Sequence, residues 1–135
     1  MRILAIDYGK KRTGIAVTDP LQIIAHALET VETNVLMTYL EKYLTTEEVE
    51  EIVVGHPKHA DNTDADIFPE IKNFVNKLKN KFPKIKYTFW DERFTSKMAA
   101  KVLIDAGYKK KDRQKKGNLD KIAATIILQE YLQSK

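Results

Sequence analysis

Between Arg2 and Thr18 the chain reads R-I-L-A-I-D-Y-G-K-K-R-T-G-I-A-V-T. Ile3-Leu4-Ala5-Ile6 is an apolar run ended by an acid, and Thr13 to Thr18 is a second β-rich run. Two such runs joined by a short polar stretch containing Gly predict an antiparallel hairpin that opens a sheet. Asp7 then stands where the first strand leaves the core. Gly9 and Gly14 leave room there for a phosphate or for another stretch of backbone. Asp-x-Gly is also a common turn sequence, so Asp7 taken alone caps a turn as readily as it serves chemistry. Partner carboxylates elsewhere in the chain decide between the two.

Further along, Ile23 to Val31 reads as a third strand, and Asn34 to Leu44 as a helix with Asn34 as its N-cap. Glu47 to Glu51 reads as a solvated acidic patch, followed by a short buried strand at Ile52-Val53-Val54. Ile67, Ile71, Phe74, Val75 and Leu78 mark an amphipathic helix, and Ile85, Tyr87 and Phe89 alternate into a strand that runs up to Trp90-Asp91-Glu92-Arg93. A helix from Thr95 or Ser96 to Gly107 comes next. Asn118 is the expected cap of a last helix with Leu119, Ile122, Ala123, Ile126, Ile127 and Tyr131 inward. Three meandering strands followed by alternating helices and strands predict an α/β layer fold in one domain, 1–135, with helices on the faces of a mixed five-stranded sheet.

On this frame the acids at element ends stand out. Asp7 ends the first strand, Asp91 and Glu92 end the last strand, and Asp120 lies near the start of the last helix, in register with Ala123, Ala124 and Ile127. If the first and last strands are near neighbours, these carboxylates converge from distant parts of the chain. Hard oxygen ligands suit Mg²⁺ or Mn²⁺, one ion or two. A pair of such ions about 3.5–4 Å apart activates water and stabilises the leaving oxygen of a phosphodiester. The structural alternatives are a helix-dipole acid for Asp120 and an ion pair with Arg93 for Asp91 or Glu92.

Basic residues flank the same acids. Lys10, Lys11 and Arg12 follow Asp7. Lys109, Lys110, Lys111, Arg113, Lys115 and Lys116 form a charge run before Asp120 that reads as an exposed loop. Such groups hold backbone phosphates without reading sequence, although a charge run is also an ordinary solvated surface. The net charge of +4 agrees with an anionic partner. His56 and His59 with Asp61 form a loose metal-ligand pattern of little weight. His26 reads as a core histidine, and Trp90 and Phe94 as core packing rather than a platform for bases.

Cysteine is absent, which excludes disulfides and thiolate chemistry and fits the cytoplasm. The apolar run at the N-terminus is too short for a secretory signal, and nothing approaches the roughly 18 apolar residues of a membrane span.

Four blocks carry a resemblance that covers the chain from end to end. D-Y-G-K-K-R-T-G-I-A-V at 7–17, G-H-P at 55–57, W-D-E-R-F-T-S at 90–96 and N-L-D-K-I-A-A-T-I-I-L-Q at 118–129 are similar to the signature blocks of the YqgF family. The resemblance implies an RNase H-like fold, kinship with RuvC Holliday-junction resolvases, and processing of the 16S rRNA precursor. It implies a metal-dependent phosphodiesterase with Asp7, the Asp91–Glu92 pair and Asp120 as its acids, Glu92 ahead of Asp91 as ligand. Arg93 would then orient an acid or a phosphate. Two departures accompany it: RNase H-like relatives carry their second acid at the end of the fourth strand, where this chain has Gly55, and Asn62 stands where family members usually have Gly. The expected partner is structured RNA, with branched DNA second, and the expected state is a monomer or weak homodimer. Two rivals remain open, a DNA junction resolvase and a nucleic-acid-binding module without catalysis.

Overall fold

The computed structural model describes residues 1–59, 61, 63–91 and 116–134, the stretch 116–121 by its backbone alone. Strands β1 (Arg2–Asp7), β2 (Arg12–Thr18), β3 (Ala25–Glu32), β4 (Val49–His56) and β5 (Lys86–Asp91) form one sheet in the order β3-β2-β1-β4-β5. Pairing is antiparallel across β3-β2-β1 and parallel across β1-β4-β5. The helices are α1 (Leu36–Thr46), α2 (Phe68–Lys81) and, after the undescribed stretch, α3 (Lys116–Gln133). The expected helix between Thr95 and Gly107 lies outside the described residues. None of the helices described is long and apolar enough to cross a membrane.

β1 is an unbroken apolar run because both its faces are covered. Leu4 and Ile6 join Ile15, Val17, Ile52 and Val54 beneath α1 and α2, where Leu36, Leu40, Ile71, Val75 and Leu78 close the layer. Ile3, Ala5, Ala16 and Val53 point the other way, onto Ala124, Ile127, Leu128 and Tyr131 of α3. The alanines on both sides of that second layer let α3 lie close to the sheet.

Several boundaries differ from the expectations. β3 begins at Ala25 rather than Ile23, because the Asp19 carboxylate accepts hydrogen bonds from the amides of Leu21, Ile23 and Ile24 at 3.2, 2.8 and 2.8 Å and holds them in a turn. Those bonds, the one from Ile24 foremost, hold the Asp19 carboxyl below the usual carboxylate range. His26 is exposed on the edge strand β3, not in the core. Asn34 does not cap α1. It lies in a 3₁₀ turn (Thr33–Val35) that precedes the helix, drawn there by Thr33, whose amide bonds the Lys11 carbonyl at 2.9 Å. α3 is already helical at Lys116, so Asn118 is inside the helix and Lys116 belongs to it rather than to a loop.

The acidic patch at Glu47 to Glu51 is partly strand, since β4 starts at Val49. Period two in Glu51 and Val53 puts Glu51 inward on the α3 face, after an irregularity in the pairing with β1 that leaves Val49 in the other layer. It is 4% exposed, and its carboxylate accepts from the Tyr131 hydroxyl and, at 2.7 Å, from the Thr88 hydroxyl. Burial first, then that bond to Glu51, raises the Tyr131 phenol above its ordinary value.

Candidate functional site

The hairpin loop between β1 and β2 is tied down at both ends. Asp7 pairs with Gly14 across the ladder. Inside the loop, the Thr33 hydroxyl donates to the Gly9 carbonyl at 2.6 Å and lies 2.9 Å from the Thr13 hydroxyl. Tyr8 packs on Phe74 with ring centroids 5.5 Å apart, and its hydroxyl donates to Glu70 of α2 at 2.8 Å. Partial burial and that carboxylate raise the Tyr8 phenol, so it stays a donor across the physiological range.

The space beside Gly9 is filled by the loop's own backbone: a Cβ there would meet the Arg12 carbonyl oxygen at 2.3 Å. Gly9→Ala therefore forces the loop apart and destabilises the fold by about 1–3 kcal/mol. Thermal melting reads this directly; a melting temperature equal to wild type would mean that the loop yields freely.

These ties present Lys10, Lys11 and Arg12 around a cleft of about 400 Å³ that Glu32 and Asn34 complete. Lys10 and Lys11 are exposed, and the Arg12 Nε is buried with no hydrogen-bond partner among the described residues.

Asp7 and Asp91 end strands that both flank β4, so two interstrand steps of about 4.8 Å separate them. The first and last strands are thus near neighbours. Strand alternation sends the two acids to opposite faces. Asp7 follows Ile3 and Ala5 onto the α3 face, whereas Asp91 follows Tyr87 and Phe89 onto the α2 face, where its Oδ2 is 4.0 Å from the Lys58 ammonium. Gly55 stands between them, beside Trp90 in the ladder and one residue beyond the Ile6–Val54 pair.

Position 120 is one helical turn before Ala124, which packs on the sheet. Glu92, Arg93, Lys109, Lys110, Lys111, Arg113 and Lys115 lie outside the described residues, as do Asn62 and Phe94. Lys116 and Asp120 are described by backbone only. Among the described residues no three His, Cys, Asp or Glu side chains cluster as a metal site. Asp7 has the hard oxygen donor that Mg²⁺ or Mn²⁺ requires; of its expected co-ligands, Glu92 lies outside the described residues and Asp120 is placed by its backbone.

The histidines at the end of β4 and just after it serve separate acids. His56 pairs with Asp64 at 2.8 Å while its ring stacks on Phe68 at 3.7 Å, and His59 is 3.6 Å from Asp66. Trp90 packs in the core against Tyr131 and donates to Glu130 at 3.0 Å. Sequence reasoning passed over Thr33, Glu70 and Lys58, whose roles arise from contacts between distant segments. Glu51 had a signal, its place two residues before the buried Val53.

The family model described as "RuvX: Holliday junction resolvase" matches residues 1–134. The chain belongs to the RuvX family. A relative from Phocaeicola vulgatus named "Putative pre-16S rRNA nuclease" is 57% identical over 99% of this chain and 96% of its own length. One of the same name from Bacteroides thetaiotaomicron is 51% identical over 99% and 97%. Among solved structures, RuvC of T. thermophilus in complex with a Holliday junction substrate aligns with TM-score 0.62 and 16% identity, covering 99% of this chain and 96% of RuvC. That likeness places the RuvX chain in the RNase H-like fold, as the motif blocks implied.

Proposed function

We propose that this RuvX chain is a metal-dependent nuclease of a single RNase H-like domain that trims the 16S rRNA precursor in the cytoplasm, as a monomer or weak homodimer. The observation that carries the proposal is the position of Asp7, at the end of the central parallel strand and beside a preorganised basic loop. In this reading Asp7, Glu92 and Asp120 hold one or two Mg²⁺ or Mn²⁺ ions. Asp91 is second to Glu92 because it faces away from Asp7 and toward Lys58. A divalent ion in such a site supplies activation of water and charge stabilisation at the leaving oxygen.

The chain's own residues bind and orient the strand. Lys10, Lys11 and Arg12 hold backbone phosphates in the cleft, Lys109, Lys110, Lys111, Arg113, Lys115 and Lys116 hold others, and Arg93 orients an acid or a phosphate. The second reading, DNA junction resolution, is favoured by the family's description and requires two symmetric sites in a dimer.

Cleavage of a labelled 16S precursor fragment beside a DNA four-way junction, each with Mn²⁺, separates the two. Cutting of the precursor with the junction intact is expected. Cutting of the junction alone would replace the first reading by the second.

A further inference from the structure

The basic cleft does not stop at the hairpin. Asn34, which lines it, also lines a second groove of about 470 Å³ on the α2 side, bounded by Thr33, Met37, Phe74, Lys77, Asn80 and Lys81. One residue in a 3₁₀ turn therefore joins two grooves into a path from the loop after Asp7 to the groove between the start of α1 and α2, in the layer opposite to the one Asp7 faces. Lys10, Lys11 and Lys77 are exposed and have no ion pair among the described residues; Lys81 is paired with Glu41 at 2.8 Å. The acid lining the path is Glu32, against Lys10, Lys11 and Arg12 in the first groove and Lys77 and Lys81 in the second. Asn34 and Asn80 add amide donors between the cations.

Such a surface suits a polyanion whose charges repeat along a line, with oxygens that accept from both ammonium and amide groups. The Thr33 and Tyr8 hydrogen bonds fix the first groove before any ligand arrives, so little ordering is required on binding.

We propose that Lys10, Lys11, Asn34, Lys77 and Asn80 form a track for the sugar–phosphate backbone flanking the cleavage point, leading from the loop after Asp7 over the end of the sheet into the groove between α1 and α2. This deepens the nuclease reading and rests on it for the direction of the track. The contact itself needs only binding. On the track, Lys77 holds substrate and touches no reacting atom.

The test is fluorescence anisotropy of a labelled 20-bp RNA duplex and the matching DNA duplex, in EDTA, across a salt series. Wild type is compared with Lys77→Ala, Lys77→Arg and, as a control of equal charge change, Lys84→Ala, at an exposed site off the track. Lys77→Ala should weaken binding about 3–10-fold and lower the salt slope by about 0.7–0.9, the value of one phosphate contact. Lys77→Arg should restore both, and Lys84→Ala should change neither. A response with one duplex names the nucleic acid that the track takes. Lys77→Ala matching Lys84→Ala on both duplexes, or wild type binding neither, would overturn the track. Lys77-dependent binding without cleavage under any metal would leave the track standing and remove the nuclease.

Discussion

Glu51→Ala lowers the unfolding free energy by about 2–4 kcal/mol, the largest loss expected from any polar position in the core. The carboxylate is buried where β4, β5 and α3 meet, and two hydroxyl donors, from Tyr131 and Thr88, converge on it. Truncation removes both bonds and leaves the buried Tyr131 and half-buried Thr88 hydroxyls to bond each other. An unsatisfied buried donor costs about 1–3 kcal/mol. Thr88 recovers part of that by rotating toward the Tyr131 hydroxyl, which it also bonds, while the Tyr131 ring stays packed edge-on against Trp90 at 5.6 Å. The Lys86 ammonium at 3.9 Å adds little, because its side chain is 71% exposed.

A chain of this size loses about 3–4 °C of melting temperature per kcal/mol, so a drop near 10 °C is expected. Tyr131→Phe removes one bond, leaves the Thr88 contact in place, and should cost about 1 kcal/mol. Equal melting temperatures for wild type and Glu51→Ala would show that the cluster does not fasten α3 to the sheet.

Much of the fold could be read from the residues, for reasons that differ along the chain. The hairpin was legible because Ile3–Ile6 and Thr13–Thr18 are β-rich runs that a short polar stretch with a glycine can join. α2 was legible from its stripe at Ile71, Val75 and Leu78, all buried. The start of β3 was not. Ile23 and Ile24 have strand propensity, yet Asp19 takes their amides into a turn and leaves them exposed. Local side-chain bonding there outweighs intrinsic preference.

The same limit hid Glu51 and Asn34. An acid in a run of acids looks solvated until the irregular pairing of β4 with β1 sets its face, and a good N-cap residue is displaced when a neighbour, here Thr33, bonds another segment. In the candidate site, Asp7 was legible from its place after an apolar run. The opposed directions of Asp7 and Asp91 required the register of three strands.

The largest effect on activity is expected at Asp7. Asn has the same size and keeps one oxygen but loses the charge that, in the proposed reading, holds a divalent ion, and the loop ties through Thr33 and Tyr8 do not involve it. Disturbing groups that merely support metal ligands costs about 10–100-fold, so loss of a ligand's charge should exceed 100-fold. Affinity for nucleic acid should stay within about 3-fold, because phosphate contacts supply it and Lys10, Lys11 and Arg12 are untouched.

The decisive measurement is cleavage of the labelled 16S precursor fragment by wild type and Asp7→Asn, in Mn²⁺ and in EDTA, with binding recorded on the same samples. Cutting by wild type in Mn²⁺ alone, with Asp7→Asn binding but not cutting, is the expected result. Equal cutting by the variant, or cutting that survives EDTA, would contradict a metal-dependent nuclease built on Asp7.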